Sequence, residues 1–417
     1  MPIRISGSTG ISGLDGSATT PVLQGASANS GIHYSGNTVF VSTSGTKALT
    51  IGPTGNVAFT NTNVSIGGQT ISAYSGMMKN RIINGDFKID QRFGGAANNG
   101  VNQYIVDRWI GLTMTLARTR FQQNNTNGPG SSATQTATGF VNYFGANVVS
   151  SNASFGASDQ YLIYQPIEGL NTADLGWGTA NASPVTLSFW AYSSIPGTHS
   201  GVISNGPGGR SYPFTYGINT ANTWQYQTIT IPGETSGNWF SNNNVGMYVA
   251  YNFGSGTNYA SSSGNAWQTS FYQTVTGAIQ PQSYANGSLY LTGVQLEKGS
   301  QATPFEFRHY TTELQLCQRY YQVYGGNGLF LIGGYGATGG DIYNMFSFPV
   351  QMRVSPTVSS LGSWSTNNTN TPYPKITRIS SYGFCVYATI VTTGSWYVDG
   401  NSSSTLITAS SELGVQN

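Results

Sequence analysis

Three of the chain's fourteen carboxylates crowd into one stretch: Asp86, Asp90 and Asp107. Hydrolysis of a polysaccharide needs two such groups roughly 5–9.5 Å apart, one holding its proton and one ionised. Lys88, Arg92 and Arg108 alternate with these acids, and cations lower a carboxyl pKa instead of raising one for proton donation. Ion pairing is therefore their expected role, although a pair assembled from two subunits would escape this reasoning. His33, His199 and His309 lie in separate segments, with no Gly-x-Ser-x-Gly elbow or His-Glu-x-x-His helix to enlist them, and are read as structural. Gly206-Pro207-Gly208-Gly209-Arg210 lacks the flanking strand and helix that turn a glycine-rich loop into a phosphate cradle. Cys317 and Cys385 show no metal-ligand spacing and read as reduced, packed thiols. The expectation is a protein without catalytic residues, resident metal or cofactor.

The aromatic side chains suggest a different chemistry. A sugar ring offers an apolar C–H face and a rim of hydroxyls, which a flat aromatic surface with nearby amides and hydroxyls can recognise. Trp177 in Gly176-Trp177-Gly178, Trp239-Phe240 before Ser241-Asn242-Asn243-Asn244, Tyr259 in an Asn/Ser-rich loop, and Trp364 before Asn367-Asn368 sit in loop-like surroundings. These five are the candidate carbohydrate-binding residues, with packing under their own loops as the alternative. Trp109, Trp190 and Trp224 fall in or beside alternating runs and are expected in the core.

The elements that must hold these rings are short strands. Val185, Leu187, Phe189 and Ala191 alternate on one face, as do Val245 to Phe253, Tyr290 to Leu296, and Phe384 to Ile390. Polar loops such as Asn124 to Ser132 and Ser255 to Gly264 separate them. The pattern is all-β, with a jelly-roll β-sandwich over 79–308 and a smaller distal β-domain over 327–417. Between them, 309–326 should hold a short connecting helix, Thr312 to Tyr321, capped by Thr311 or Thr312 and stopped at Gly325-Gly326. The segment 1–78 carries only Asp15 and Lys47 after its fourth residue, and about half of it is Gly, Ser, Thr or Asn. Its small apolar clusters (Val39 to Val41, Leu49 with Ile51, Val57 with Phe59, Val64 with Ile66) are too small to bury a face alone. Three copies side by side would give them a common axis and a short β shaft; a disordered leader is the alternative. Lys79, Arg81 and the charges that follow suggest salt bridges at a domain entrance or between subunits.

Only 7% of residues are charged and the net charge is +2, which argues against a charge-driven binder of nucleic acid or anionic lipid. With 26 Tyr, 19 Phe and 8 Trp the chain has ample material for buried cores. No run is long and apolar enough for a membrane helix, and the first residues lack a hydrophobic signal core. Folding in a cytosol is the expectation.

Asn80-Arg81-Ile82-Ile83-Asn84-Gly85-Asp86-Phe87, followed by Tyr104 and Asp107-Arg108-Trp109, resembles the opening of a β-domain of bacteriophage tail fibres and related virion proteins. Val294-Gln295-Leu296-Glu297-Lys298-Gly299, Ala302-Thr303-Pro304-Phe305-Glu306 and Leu316-Cys317-Gln318-Arg319-Tyr320-Tyr321 look like its end and connecting helix. Phe348-Pro349-Val350-Gln351-Met352-Arg353-Val354-Ser355-Pro356-Thr357-Val358 resembles a motif of the terminal β-domain, and the leader, with Gly16-Ser17-Ala18-Thr19-Thr20-Pro21 and Ser44-Gly45-Thr46-Lys47, is similar to the amino ends of marine and cyanobacterial phage structural proteins. The resemblance implies a homotrimeric virion fibre assembled in the host bacterial cytoplasm. Its amino end would dock on a tail or baseplate protein, a jelly roll similar to carbohydrate-binding modules would follow, and the distal domain after Gly326 would face the host and contact its surface polysaccharide. A capsid head fibre and a polysaccharide depolymerase are the competing readings. Jelly rolls of this kind often carry a structural calcium, for which Asp86 and Glu297 are the available acids, with ion pairing to Lys88 or Lys298 the alternative.

Overall fold

Alternating apolar residues between positions 103 and 298 build two antiparallel sheets packed face to face. The computed structural model describes residues 4–6, 10–12, 16–24, 27, 29–55, 57–59, 63–66, 69–72, 78–114, 117–325, 330–370, 374–400 and 406–414. Strands account for 45% and helices for 8%, an all-β sandwich architecture. The chain divides into two compact units, Met1–Gly76 and Met77–Asn417.

In the second unit, a six-stranded sheet runs in the order Gln103–Val106, Trp109–Thr113, Gln160–Glu168, Val245–Ser255, Gly197–Asn205, Ser211–Ile218. The facing sheet has five strands: Thr119–Gln123, Phe144–Val148, Ser288–Lys298, Val185–Ser193, Gln225–Ile231. Leu187, Phe189, Phe214, Val249, Tyr251 and Leu296 point between them and are fully buried, each such side chain contributing about 1.5–3 kcal/mol. The Asn80–Phe87 stretch closes one end. Asn80 Oδ1 accepts the amides of Ile82 and Leu296 at 2.9 and 3.0 Å, and a Cβ on Gly85 would lie 2.1 Å from the Val294 carbonyl oxygen. Trp109 is fully buried beside Phe87, its ring 4.9 Å away, as expected.

Three three-stranded sheets form the distal part. Their central strands are Leu406–Ser410, Gly394–Gly400 and Gly383–Thr389, packed around Phe384, Val386, Trp396, Val398 and Ile407. The connecting helix spans Tyr310–Gln318, and Tyr321–Gly325 is already a strand. The expected helix to Tyr321 is therefore too long: Tyr321 pairs with Ser410 in the sheet, and that pairing overrides the helical spacing. His309, without a side-chain capping bond, stands where Thr311 or Thr312 was expected; Gly326 lies outside the described residues. Ser131–Thr138, at the end of an expected loop, is a second helix. Among the described residues no helix is long and apolar enough to cross a membrane.

The first unit holds a meander of Leu23–Gln24, Gly31–Ser35, Thr38–Thr43, Thr46–Ile51 and Val57–Phe59. Pairing of Leu23 with Ile32, Val41 with Leu49, Leu49 with Phe59, and Val39 with Ile51 puts these side chains on one face. Among the described residues no buried hydrophobic cluster includes a residue before Ile82. Val57 and Phe59 are each 53% exposed. His33 and Ser42 are buried here instead, hydrogen-bonded to each other at 3.3 Å. The side chains of Val64 and Ile66 and the Gly67-Gly68 turn lie outside the described residues.

Candidate functional site

The carboxylates near the amino end of the sandwich are committed to structure. Asp86 pairs with Lys88 at 3.0 Å, and Asp90 accepts the amides of Arg92, Phe93 and Gly95. Asp107, fully buried, accepts Gln91 N at 2.7 Å and Gln91 Nε2 at 2.6 Å; burial pushes its pKa up to about 6 against the pull of Arg92 and these bonds. Glu297 accepts the Thr303 amide and hydroxyl and lies 4.0 Å from Lys79, whereas Lys298 pairs with Asp174. Asp86 and Glu297 thus each have protein partners, and among the described residues no group of three potential ligands could hold a metal ion. His199 is buried with Nε2 2.8 Å from the Ile195 carbonyl, and burial lowers its pKa. Cys317 and Cys385 are both free and buried. Arg210, at the end of the glycine-rich turn, pairs with Glu234.

Three of the five candidate rings come together. Trp177, Trp239 and Phe240 line a cleft of about 250 Å³ with Thr172, Ala173 and Met247. Trp177 and Trp239 also meet Trp267 in a cluster of mutually perpendicular indoles, 4.7–5.8 Å apart. Each indole N–H donates to a nearby carbonyl: Trp177 to Ser183, Trp239 to Ser236, Trp267 to Pro232. Trp177 is only 7% exposed, so this cluster chiefly pins loops. Tyr259 and Trp364 lie elsewhere. The Tyr259 hydroxyl accepts Gln160 Nε2 at 3.0 Å, and Trp364 packs against the distal core.

A larger aromatic groove lies on the outer face of the five-stranded sheet. Trp190 and Tyr226 are direct cross-strand partners with ring centroids 5.4 Å apart. Trp190 is consequently not a sandwich-core residue: in Val185–Ser193 the odd positions face inward, and the even ones, Trp190 among them, face out. Trp224 is buried, but in a cluster with Tyr143 and Tyr290 separate from the main core. Opposite Trp190 and Tyr226 stands a wall of three phenylalanines. Phe140 stacks on Phe307 at 5.2 Å and meets Phe305 edge-on at 4.9 Å. Gly293 makes this wall possible. Its φ is +60, and a Cβ there would lie 2.5 Å from the Phe140 ring.

The groove encloses about 470 Å³, with Ser188, Thr138 and the backbone of Gly139 and Gly293 among the polar groups that line it. Small-ligand sites run from roughly 300 to 1,000 Å³, so this groove is of that size and the tryptophan cleft is not. Tyr226 is 48% and Phe307 66% exposed, leaving flat ring surface accessible where the tryptophan cluster offers little. Sequence reasoning missed Tyr226, Phe305 and Phe307. For Tyr226 the signal was the alternation of Gln225–Ile231, which marks a strand face turned to solvent; Phe305 and Phe307 lie in a segment without strand structure, where no such periodicity applies.

No protein-family model and no curated protein matches the chain. Among solved structures it is similar to the enzymatically active domain of bacteriophage CBA120 tailspike protein 4, at 11% identity and TM-score 0.28, over 53% of this chain and 21% of that one. It is also similar to a CBM4 structure, at 13% identity and TM-score 0.22, over 37% and 70% of the two chains. A third is the CBM22-1–CBM22-2 tandem domain of Paenibacillus barcinonensis Xyn10C, at 9% identity and TM-score 0.24, over 78% and 99%. At these values none of the likenesses bears on function.

Proposed function

We propose that this is a non-catalytic glycan-binding fibre protein of a phage virion, homotrimeric, docked through residues 1–78 on a tail or baseplate protein and binding host-surface polysaccharide. The observation that carries the binding half is the groove between Trp190 with Tyr226 and Phe140 with Phe305 and Phe307: the exposed rings of Tyr226 and Phe307 on an uncharged wall. Such a surface suits the C–H face of a neutral sugar, and binding to it is insensitive to salt because there is little ionic attraction to screen. Three identical sites per particle would raise avidity without any single tight contact. The tied carboxylates support binding over hydrolysis, and the uncovered apolar face of the leader supports association of copies.

The test is a glycan array with the full chain, followed by titration of the best neutral ligand into wild type and Tyr226→Ala. Because Tyr226 is half exposed, the variant should fold as wild type does and lose about tenfold in affinity, ~1.4 kcal/mol. Unchanged affinity would remove the groove from the account.

A further inference from the structure

The distal part carries a second aromatic surface of different charge. In the sheet of Asp341–Ser347, Gly383–Thr389 and Lys375–Ser380, register places Tyr343 opposite Tyr387 and Tyr387 opposite Lys375. The inward positions Phe384, Val386 and Ala388 fill the core, so this row faces out. Tyr343 and Tyr387 stack at 5.2 Å and 23°. Lys375 Nζ lies 5.3 Å from the Tyr387 centroid, and the Arg378 guanidinium 4.6 Å from that of Tyr343. In a chain with so few charges most described cations between Lys79 and Arg319 are in ion pairs, yet neither Lys375 nor Arg378 is in one among the described residues. Asp341, the carboxylate on this face, lies two residues from Tyr343, whose hydroxyl is 3.5 Å from its Oδ2, and accepts the Thr389 hydroxyl at 2.5 Å. Arg378 also has φ +49, at the point where pairing with the neighbouring strand is interrupted. A non-glycine residue held in the left-handed region costs about 1 kcal/mol or more, and glycine there would remove the cost.

We propose that this face binds an acidic polysaccharide, with a sugar ring on the Tyr343–Tyr387 pair and its carboxylate or sulfate between Lys375 and Arg378. This rests on the reading of the protein as a glycan binder and adds a site whose ligand is anionic where that of the sandwich groove is neutral. Stacking supplies the contact to the ring, and the two cations supply selectivity for the acid. Their attraction is exposed to solvent, so binding here weakens as salt rises, which distinguishes it from the groove.

The test uses the full chain with three polymers, polygalacturonate, dextran sulfate and neutral dextran, at low and raised salt, and the variants Lys375→Ala and Arg378→Gly. The glycine variant relieves the left-handed backbone and keeps the fold. The expected result is binding of at least one acidic polymer, weakened by salt and reduced about tenfold or more in both variants, with Tyr226→Ala unaffected; which acidic polymer binds separates carboxylate from sulfate. Neutral dextran binding that Lys375→Ala and Arg378→Gly weaken as much as acidic binding, or variants that bind the acidic polymers as wild type does, overturns the proposal. So does an Arg378→Gly variant whose native mass changes instead, because the face is then a contact between copies. Failure of the wild-type chain to bind either acidic polymer, with a neutral ligand still held through Tyr226, sinks this site and leaves the function standing; failure with every glycan sinks both.

Discussion

Asp107 shows how far a single side chain's chemistry is set by burial. Its carboxyl is pushed from 3.8 to about 6 because desolvation outweighs the donors from Gln91 and the charge of Arg92. The folded chain therefore keeps this proton over a window in which the unfolded chain has lost it. Stability falls as pH rises through that window and levels off above it. Asp107→Asn removes this dependence, so the melting-temperature gap between variant and wild type should move in the variant's favour as pH rises from acid to neutral. A gap that stays constant with pH would contradict the assignment. Sequence reading expected ion pairing to hold Asp107; Gln91 and burial hold it instead, and among the described residues it is in no ion pair. At the same scale Trp177, Trp239 and Phe240 were legible as loop aromatics but not as neighbours, and Trp190 was misplaced because an aromatic in an alternating run carries no mark of which face is the core.

The elements are joined by charge concealed from water. Glu412 receives Arg92 at 2.7 Å and also Arg108, whose side chain is 1% exposed and whose guanidinium lies 3.6 Å from the centroid of Tyr320. Arg319 and the Tyr320 hydroxyl both donate to Glu168 of the sandwich, and Arg353 donates to the Ser411, Glu412 and Asn243 carbonyls. These contacts tie the end of the connecting helix and the last strand to the sandwich. Glu412→Ala leaves buried arginines uncompensated, which costs about 3–5 kcal/mol. The expected outcome in urea denaturation is a lower midpoint with the distal part melting ahead of the sandwich; an unshifted curve would contradict the role given to Glu412. The charged residues after Lys79 were legible as a structural junction, and the strands were legible from their alternation. The helix end was not, since Tyr321 satisfies a helical spacing and a strand pairing equally well until Ser410, far along the chain, decides between them.

For the whole molecule, the leader sheet is the element on which the proposed association of copies rests. One face of the meander is lined by Leu23, Ile32, Val41, Leu49 and Phe59, and none of the buried hydrophobic clusters among the described residues covers it. At ~25 cal/mol for each Å² removed from water, exposed apolar surface of this kind favours association. Native mass measurement of the full chain should give three copies, and removal of residues 1–77 should shift the population toward one; a full-length monomer would contradict the fibre. The glycan groove carries the central claim. A crystal of the protein soaked with its neutral oligosaccharide tests it most directly. The account predicts a sugar ring lying on Tyr226 and Phe307 in the groove, and a sugar seated only in the Trp177–Trp239 cleft, or nowhere on the sandwich, would contradict it.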